Sequence, residues 1–191
     1  MVPMDETQKR ALLVIDVQLD YFSGPMTVTY PESSFQHILQ AVDAAQAHAV
    51  PVVMIQHTAS RPTLKLFQKG TDGWQVHPEL ARRGWDHLIE KKLAGSFSGT
   101  DLEEWLKANG IQTVAICGYM TQMCCDTTAR QAQHLGYTVE FLGDATGTLD
   151  FSNDAGSVKA EELHRAVLVV QDWGFSKVLT VEQWAALLGR Q

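Results

Sequence analysis

Three cysteines, Cys117, Cys124 and Cys125, fall within nine positions, while Asp16 closes the apolar run ALLVIDV and Lys91 closes HLIEK. A thiol attacks a carbonyl as its thiolate, so a catalytic cysteine needs a helix N-terminus, a nearby cation or a base to lower its pKa. Cys124 has a candidate for each. It lies just inside a helix expected to start near Thr121, where the orphan N–H groups and the positive end of the dipole favour an anion. Lys91, ending an adjacent strand, supplies a cation, and Asp16 accepts the thiol proton and returns it to a leaving amine. A plainer reading fits the same residues, because buried cysteines usually pack as small apolar groups and strand-end carboxylates often cap neighbouring loops. Spacing alone leaves both readings open.

The elements that must position these groups alternate. The segment at 11–17 reads as a fully buried strand ending at Asp16 and Gln18, and is taken as the central one. Residues 33–49 carry apolar side chains at helical spacing behind serines able to cap, and VPVVMIQH follows as a second strand. From 58 to 84 the composition shifts to Gly, Pro, Thr and charge around Trp74 and His77, which predicts a long irregular connection. Next come a strand at about 87–91, a helix from Asp101 to Asn109 capped by Thr100, the strand TVAICG at 113–118, and the helix after Thr121. The strand YTVEFLG, a Gly-rich turn, a helix at about 158–169, the short strand FSKVL and a last helix from Thr180 complete the chain. This alternation predicts one domain over 1–191, a three-layer α/β/α sandwich on a mostly parallel, Rossmann-like six-stranded sheet. Such sheets bind ligands outside the carboxyl ends of their strands, where the order reverses, which groups Asp16, Lys91 and the segment after Cys117.

With 191 residues, 45% of them apolar, and a formal charge of −7, the chain can bury a core unaided and repels nucleic acid and anionic membranes. A small-molecule partner is expected, with no nucleic acid and no membrane. No run approaches the roughly 20 apolar residues of a spanning helix, and MVPMDETQKR lacks the apolar core of a signal peptide. Three clustered cysteines make no disulfide framework, so a cytoplasmic location is expected. The turn QLDYFSG after the first strand lacks the G-x-G-x-x-G phosphate loop, which disfavours a nucleotide-binding oxidoreductase.

The segment GYMTQMCCDTTARQA resembles the nucleophile segment of isochorismatase-like cysteine hydrolases, typically G-x-x-T-x-x-C-V-x-x-T-A-R-x-A. LLVIDVQLDYF resembles that family's opening strand with its D-x-Q turn, and EKKLAGSFSGTDLEEWL its lysine segment, so the likeness spans about residues 10–182. It implies Asp16 as base, Lys91 as the family lysine and Cys124 as nucleophile, with Lys92 a solvated neighbour. It also implies a cis peptide between Tyr119 and Met120 that turns the Met120 N–H beside that of Cys124, forming an oxyanion hole. Cys125 stands where valine is usual and reads as packing, as does Cys117.

Nicotinamidase-like members hold a metal with a D-x-H pair after the second strand, where this chain has Ile55, Gln56 and His57. A lone histidine builds no coordination shell, so no metal and no organic cofactor are expected, and nicotinamide is disfavoured as substrate. Isochorismatases proper cleave a vinyl ether without a covalent step, whereas Cys124 favours acyl transfer through a thioester. The expected activity is therefore amidohydrolase cleavage of a C–N bond; the alternatives are vinyl-ether hydrolysis and an inactive ligand-binding scaffold. Gln18, Phe22, Trp74, Phe97 and Tyr119 are the expected substrate contacts, with His57, His77 and His87 left outside the catalytic set. Gln122 and Ser96 depart from the family pattern at positions expected to affect specificity. The likeness further implies a homo-oligomer, dimer or tetramer, in which a neighbouring subunit completes the pocket.

Overall fold

The computed structural model describes residues 8–60, 63 and 65–189. Most of the MVPMDETQKR segment, and residues 61, 62 and 64 of the connection read at 58–84, lie outside them.

The central sheet contains β1 (Arg10–Ile15), β2 (Val52–His57), β3 (His87–Lys91), β4 (Thr113–Tyr119), β5 (Thr138–Gly147) and, last in the chain, β8 (Lys177–Leu179). A two-stranded hairpin, β6 (Phe151–Asn153) and β7 (Gly156–Val158), precedes β8. The order across the six-stranded sheet is β3-β2-β1-β4-β5-β8, and every neighbouring pair is parallel. The expected α/β architecture is therefore present, with a six-stranded sheet that is wholly rather than mostly parallel.

All of β1 is buried, as a continuous apolar strand must be when both faces are covered. Leu12, Val14, Val52, Met54, Ala115 and Cys117 face α1 (Ser34–Ala47) and α6 (Val181–Leu188). The alternate residues Leu13, Ile15, Val53, Ile55, Val114 and Ile116 face α3 (Leu102–Ala108) and α4 (Asp126–His134). The third layer also contains α5 (Ala160–Gly174), whose Leu168 packs against this second core.

Several expectations are corrected. The serines before α1 do not cap it through their side chains; Ser33 stands at the N-cap without a hydrogen bond. The connection at 58–84 is not wholly irregular: Pro78 opens α2 (Pro78–Arg83), and His77 Nδ1 accepts the Glu79 N–H at 3.3 Å. Asp101, not Thr100, is the N-cap of α3, although the Thr100 hydroxyl accepts the Leu102 N–H at 3.4 Å. The helix after Thr121 opens as a π-wound turn over Thr121–Cys125 before α4, the Gly-rich turn contains the β6–β7 hairpin, and α5 runs on to Gly174. At α6, Thr180 and Gln183 form a reciprocal capping box. Among the described residues no helix is long and apolar enough to cross a membrane.

Candidate active site

From β1 the chain builds outward through β2 to β3, then returns to lay β4 on the other side of β1. The order thus reverses between β1 and β4, the switch point at whose carboxyl ends open parallel sheets bind their ligands in a crevice. Asp16 follows β1 there with φ +52, a left-handed backbone that takes it out of the strand. Across the crevice β4 passes through Gly118, where φ is +115 and an added Cβ would lie 2.0 Å from the Ile15 carbonyl oxygen. Only glycine permits that approach. The Tyr119–Met120 peptide that follows is cis, and the π-wound turn carries Cys124. Lys91 comes from farther away than expected: β3 is the edge strand, separated from β1 by β2. Its long side chain crosses the end of β2, where the strand register pairs Lys91 with His57.

The three groups meet. Lys91 Nζ donates to Asp16 Oδ2 at 2.6 Å and to Cys124 Sγ at 3.3 Å, and the Leu93 carbonyl accepts from it at 3.2 Å. Asp16 is 0% exposed, Lys91 1% and Cys124 7%, so of the three the sulfur is nearest to solvent. The described residues contain two buried carboxylates that pair with a cation, and they differ. Glu140 at the other end of the sheet engages both oxygens, with Arg10 at 3.1 Å and with the Trp184 indole at 2.8 Å. Asp16 Oδ1 has no hydrogen-bond partner among the described residues. A buried acceptor left without a donor is costly, and such atoms concentrate where a site handles protons or ligands.

Burial opposes the Lys91 charge, but the Asp16 carboxylate and the hydrogen bonds to Asp16 and Cys124 outweigh it and hold the ammonium pKa above its usual value. The Cys124 thiol is displaced upward, chiefly by burial and then by the Asp16 carboxylate, with Lys91 pulling the other way. This corrects the expectation of a thiol whose pKa is lowered: Cys124 rests as a neutral thiol beside a carboxylate–ammonium pair. His57 Nδ1 lies 3.5 Å from Lys91 Nζ, and burial followed by the Lys91 charge lowers its pKa.

Of the remaining candidates, Gln18 is a buried strut. Its amide donates to the His57 and Trp74 carbonyls at 2.9 and 2.8 Å and accepts the His57 N–H at 2.8 Å. The Trp74 indole donates to Thr58 at 2.8 Å. Phe22 and Tyr119 pack edge to face on the α1 side, where the Tyr119 hydroxyl meets Ser34 at 3.2 Å. Phe97 stacks on Tyr137 and packs with the core that contains Cys124. Cys117 and Cys125 are fully buried among apolar residues. Ser96 is buried and fastens the lysine segment to α4 through Thr128 at 2.8 Å, while the buried Gln122 side-chain oxygen has no partner among the described residues. His57, left outside the catalytic set, is a direct neighbour of Lys91. A further site neighbour, Tyr21, was not singled out from the sequence; it is buried beside Phe67, and burial raises its hydroxyl pKa. The D-x-Q turn that supplies Asp16 also leads to Tyr21 and was the available signal. Among the described residues no cluster of three or more His, Cys, Asp or Glu is arranged to hold a metal.

Fold and crevice together define a parallel α/β hydrolase with a carboxylate–ammonium–thiol cluster at its switch point. The family model "Isochorismatase domain" matches residues 10–183, and the chain belongs to that family of hydrolases. It is similar to the isochorismatase family protein YddQ of Bacillus subtilis (strain 168), 32% identical over 90% of this chain and 96% of that protein. It is 30% identical to Nicotinamidase 3 of Arabidopsis thaliana over 93% of this chain and 91% of the relative. A crystal structure of an isochorismatase-family protein from Burkholderia xenovorans LB400 superposes with a TM-score of 0.93 at 43% identity, covering 96% of this chain and 89% of that one.

Proposed function

We propose that the protein hydrolyses a C–N, amide-type bond of a small molecule through a thioester on Cys124. The observation that carries this reading is Lys91 Nζ bridging Asp16 Oδ2 and Cys124 Sγ while Asp16 Oδ1 has no hydrogen-bond partner among the described residues. Asp16 takes the thiol proton as sulfur attacks the carbonyl carbon, and the Lys91 ammonium offsets the negative charge on sulfur. The tetrahedral oxyanion accepts the Met120 and Cys124 N–H groups. Collapse breaks the C–N bond, and Asp16 gives its proton to the departing ammonia or amine. Water then attacks the thioester, passing a proton by way of Asp16 to the thiolate, and the carboxylic acid leaves. The cycle as written uses no metal and no organic cofactor.

A neutral resting thiol suits this scheme, because the nucleophile forms only when a substrate is present to consume it. Phe97, Trp74 and Phe22 are assigned as walls of the pocket, with Gln18 holding the Trp74 segment in place; Tyr119, buried with its hydroxyl on Ser34, is not among them. A homo-oligomer in a cytoplasmic setting remains part of the proposal. Nicotinamidase 3, by its name an amidase, accords with C–N cleavage. A panel of primary amides and carbamoyl compounds assayed for ammonia release tests the reading. Turnover by the wild type and its loss by at least about a thousandfold in Cys124→Ala is expected. Undiminished turnover by that variant refutes the nucleophile and points to ether-type hydrolysis with Asp16 as acid.

A further inference from the structure

Three aromatic side chains meet beside the cluster of Asp16, Lys91 and Cys124. Tyr21 closes the turn that leads away from Asp16, its N–H donating to the Gln18 carbonyl at 3.0 Å. Its ring centroid lies 4.9 Å from that of Phe67 and 5.6 Å from that of Tyr119. The Phe67 ring also stands edge to face with the His57 ring at 5.7 Å. Phe67 has φ +55, a left-handed backbone that is strained for a bulky residue, and such strain concentrates at functional sites. The turn that carries Tyr21 holds it there, because Asp20 Oδ2 accepts the Phe67 N–H at 2.6 Å. Tyr21 and His57 are thus packed against one fastened wall. Each has a polar atom that the fold leaves unused. Tyr21 is only 5% exposed, yet its hydroxyl makes no hydrogen bond among the described residues, whereas a tyrosine so deeply buried usually finds a partner. His57 Nδ1 faces Lys91 Nζ at 3.5 Å, and its Nε2 has no partner among the described residues.

We propose that the Tyr21 hydroxyl and His57 Nε2 together bind a second acceptor oxygen of the substrate, carried on a flat skeleton that lies against Phe67. The proposal rests on the reading of amide hydrolysis above and names its substrate class: a flat amide with a second carbonyl beyond the scissile one. The Lys91 ammonium can only donate, so the imidazole nitrogen that faces it carries no proton and the ring proton sits on Nε2. Burial keeps the Tyr21 hydroxyl protonated. Both groups are then uncharged donors, which a carbonyl oxygen satisfies and a methyl group leaves unpaired. The reacting carbonyl uses the Met120 and Cys124 N–H groups in the scheme above, so these two donors are available to a second oxygen.

Fumaramide and crotonamide test this on the full chain, since they differ at one end only, a carboxamide against a methyl group. Ammonia release should give a kcat/KM at least about tenfold higher for fumaramide, and Tyr21→Phe and His57→Phe should each pull that ratio toward one. Using the ratio cancels any general loss of activity passed on through Lys91. Calorimetric binding to the Cys124→Ala variant separates recognition from chemistry. Fumaramide should bind it at least about tenfold more tightly than crotonamide, and adding Tyr21→Phe should remove most of that difference. A wild type that releases ammonia from neither compound, with the binding preference intact, defeats the amide reading and leaves the subsite standing. Equal binding of the two compounds, or a preference that survives Tyr21→Phe, overturns the subsite whatever the wild type hydrolyses.

Discussion

Lys91 is sealed between a carboxylate, a sulfur and a carbonyl, and its value depends on all three being present. Replacing it with methionine preserves volume but leaves Asp16 as an uncompensated buried charge, so Lys91→Met should cost about 3–5 kcal/mol in urea unfolding. Lys91→Met combined with Asp16→Asn should cost less than the sum of the single changes, because the pair is lost together. Without the ammonium, the Cys124 thiol moves still further up. Iodoacetamide labelling of Cys124 should therefore still be climbing at pH 9 in the wild type and be slower in Lys91→Met; a rate that levels off near pH 7 contradicts the neutral resting thiol. These three residues were legible in the sequence because each closes an apolar run or opens a helix. His57 was not, since its place beside Lys91 depends on β2 lying between β1 and β3, a strand order that no local pattern encodes.

Two elements converge on the turn that carries Cys124. The approach of β4 to β1 requires Gly118, and Gly118→Ala forces a Cβ against the Ile15 carbonyl oxygen. That substitution should lower the thermal midpoint sharply and remove activity together, since Asp16 and the Cys124 turn both hang from this contact. On the other side, His164 of α5 meets the Thr121 hydroxyl at 2.9 Å, at the start of the turn. Burial lowers the His164 pKa from 6.5 to about 4, so it stays neutral in the fold while the unfolded chain takes up a proton at higher pH. Stability should therefore fall as pH drops from about 6.5 toward 4, by roughly 3 kcal/mol from this residue. His164→Gln should flatten that part of a urea-unfolding series; an unchanged slope assigns the acid loss elsewhere. The π-wound turn and α2 escaped the sequence reading for different reasons. The turn shares its residues with the helix it opens, and α2 is six residues long within a Gly- and Pro-rich stretch.

Across the whole molecule, the apolar strands and their alternation with helices made the three-layer architecture legible, because a parallel strand covered on both faces has no polar residues to hide it. The β6–β7 hairpin was lost for the opposite reason: its six residues are exposed or half-buried and carry no apolar pattern. The same deep burial sets an alkaline limit. Burial holds the pKa values of Cys117, Cys124 and Cys125 above the ordinary 9.0, so the unfolded chain ionises these thiols before the folded one does. The thermal midpoint should therefore decline as pH rises above about 9. The central claim concerns one sulfur, and it is tested most directly by intact-protein and peptide mass spectrometry of the enzyme acid-quenched during turnover of an amide found in the ammonia-release panel. The account predicts a transient mass gain equal to the acyl group, on the Cys124 peptide and absent in Cys124→Ala. Turnover without any adduct on the wild type, continuing at full rate in Cys124→Ala, would contradict it.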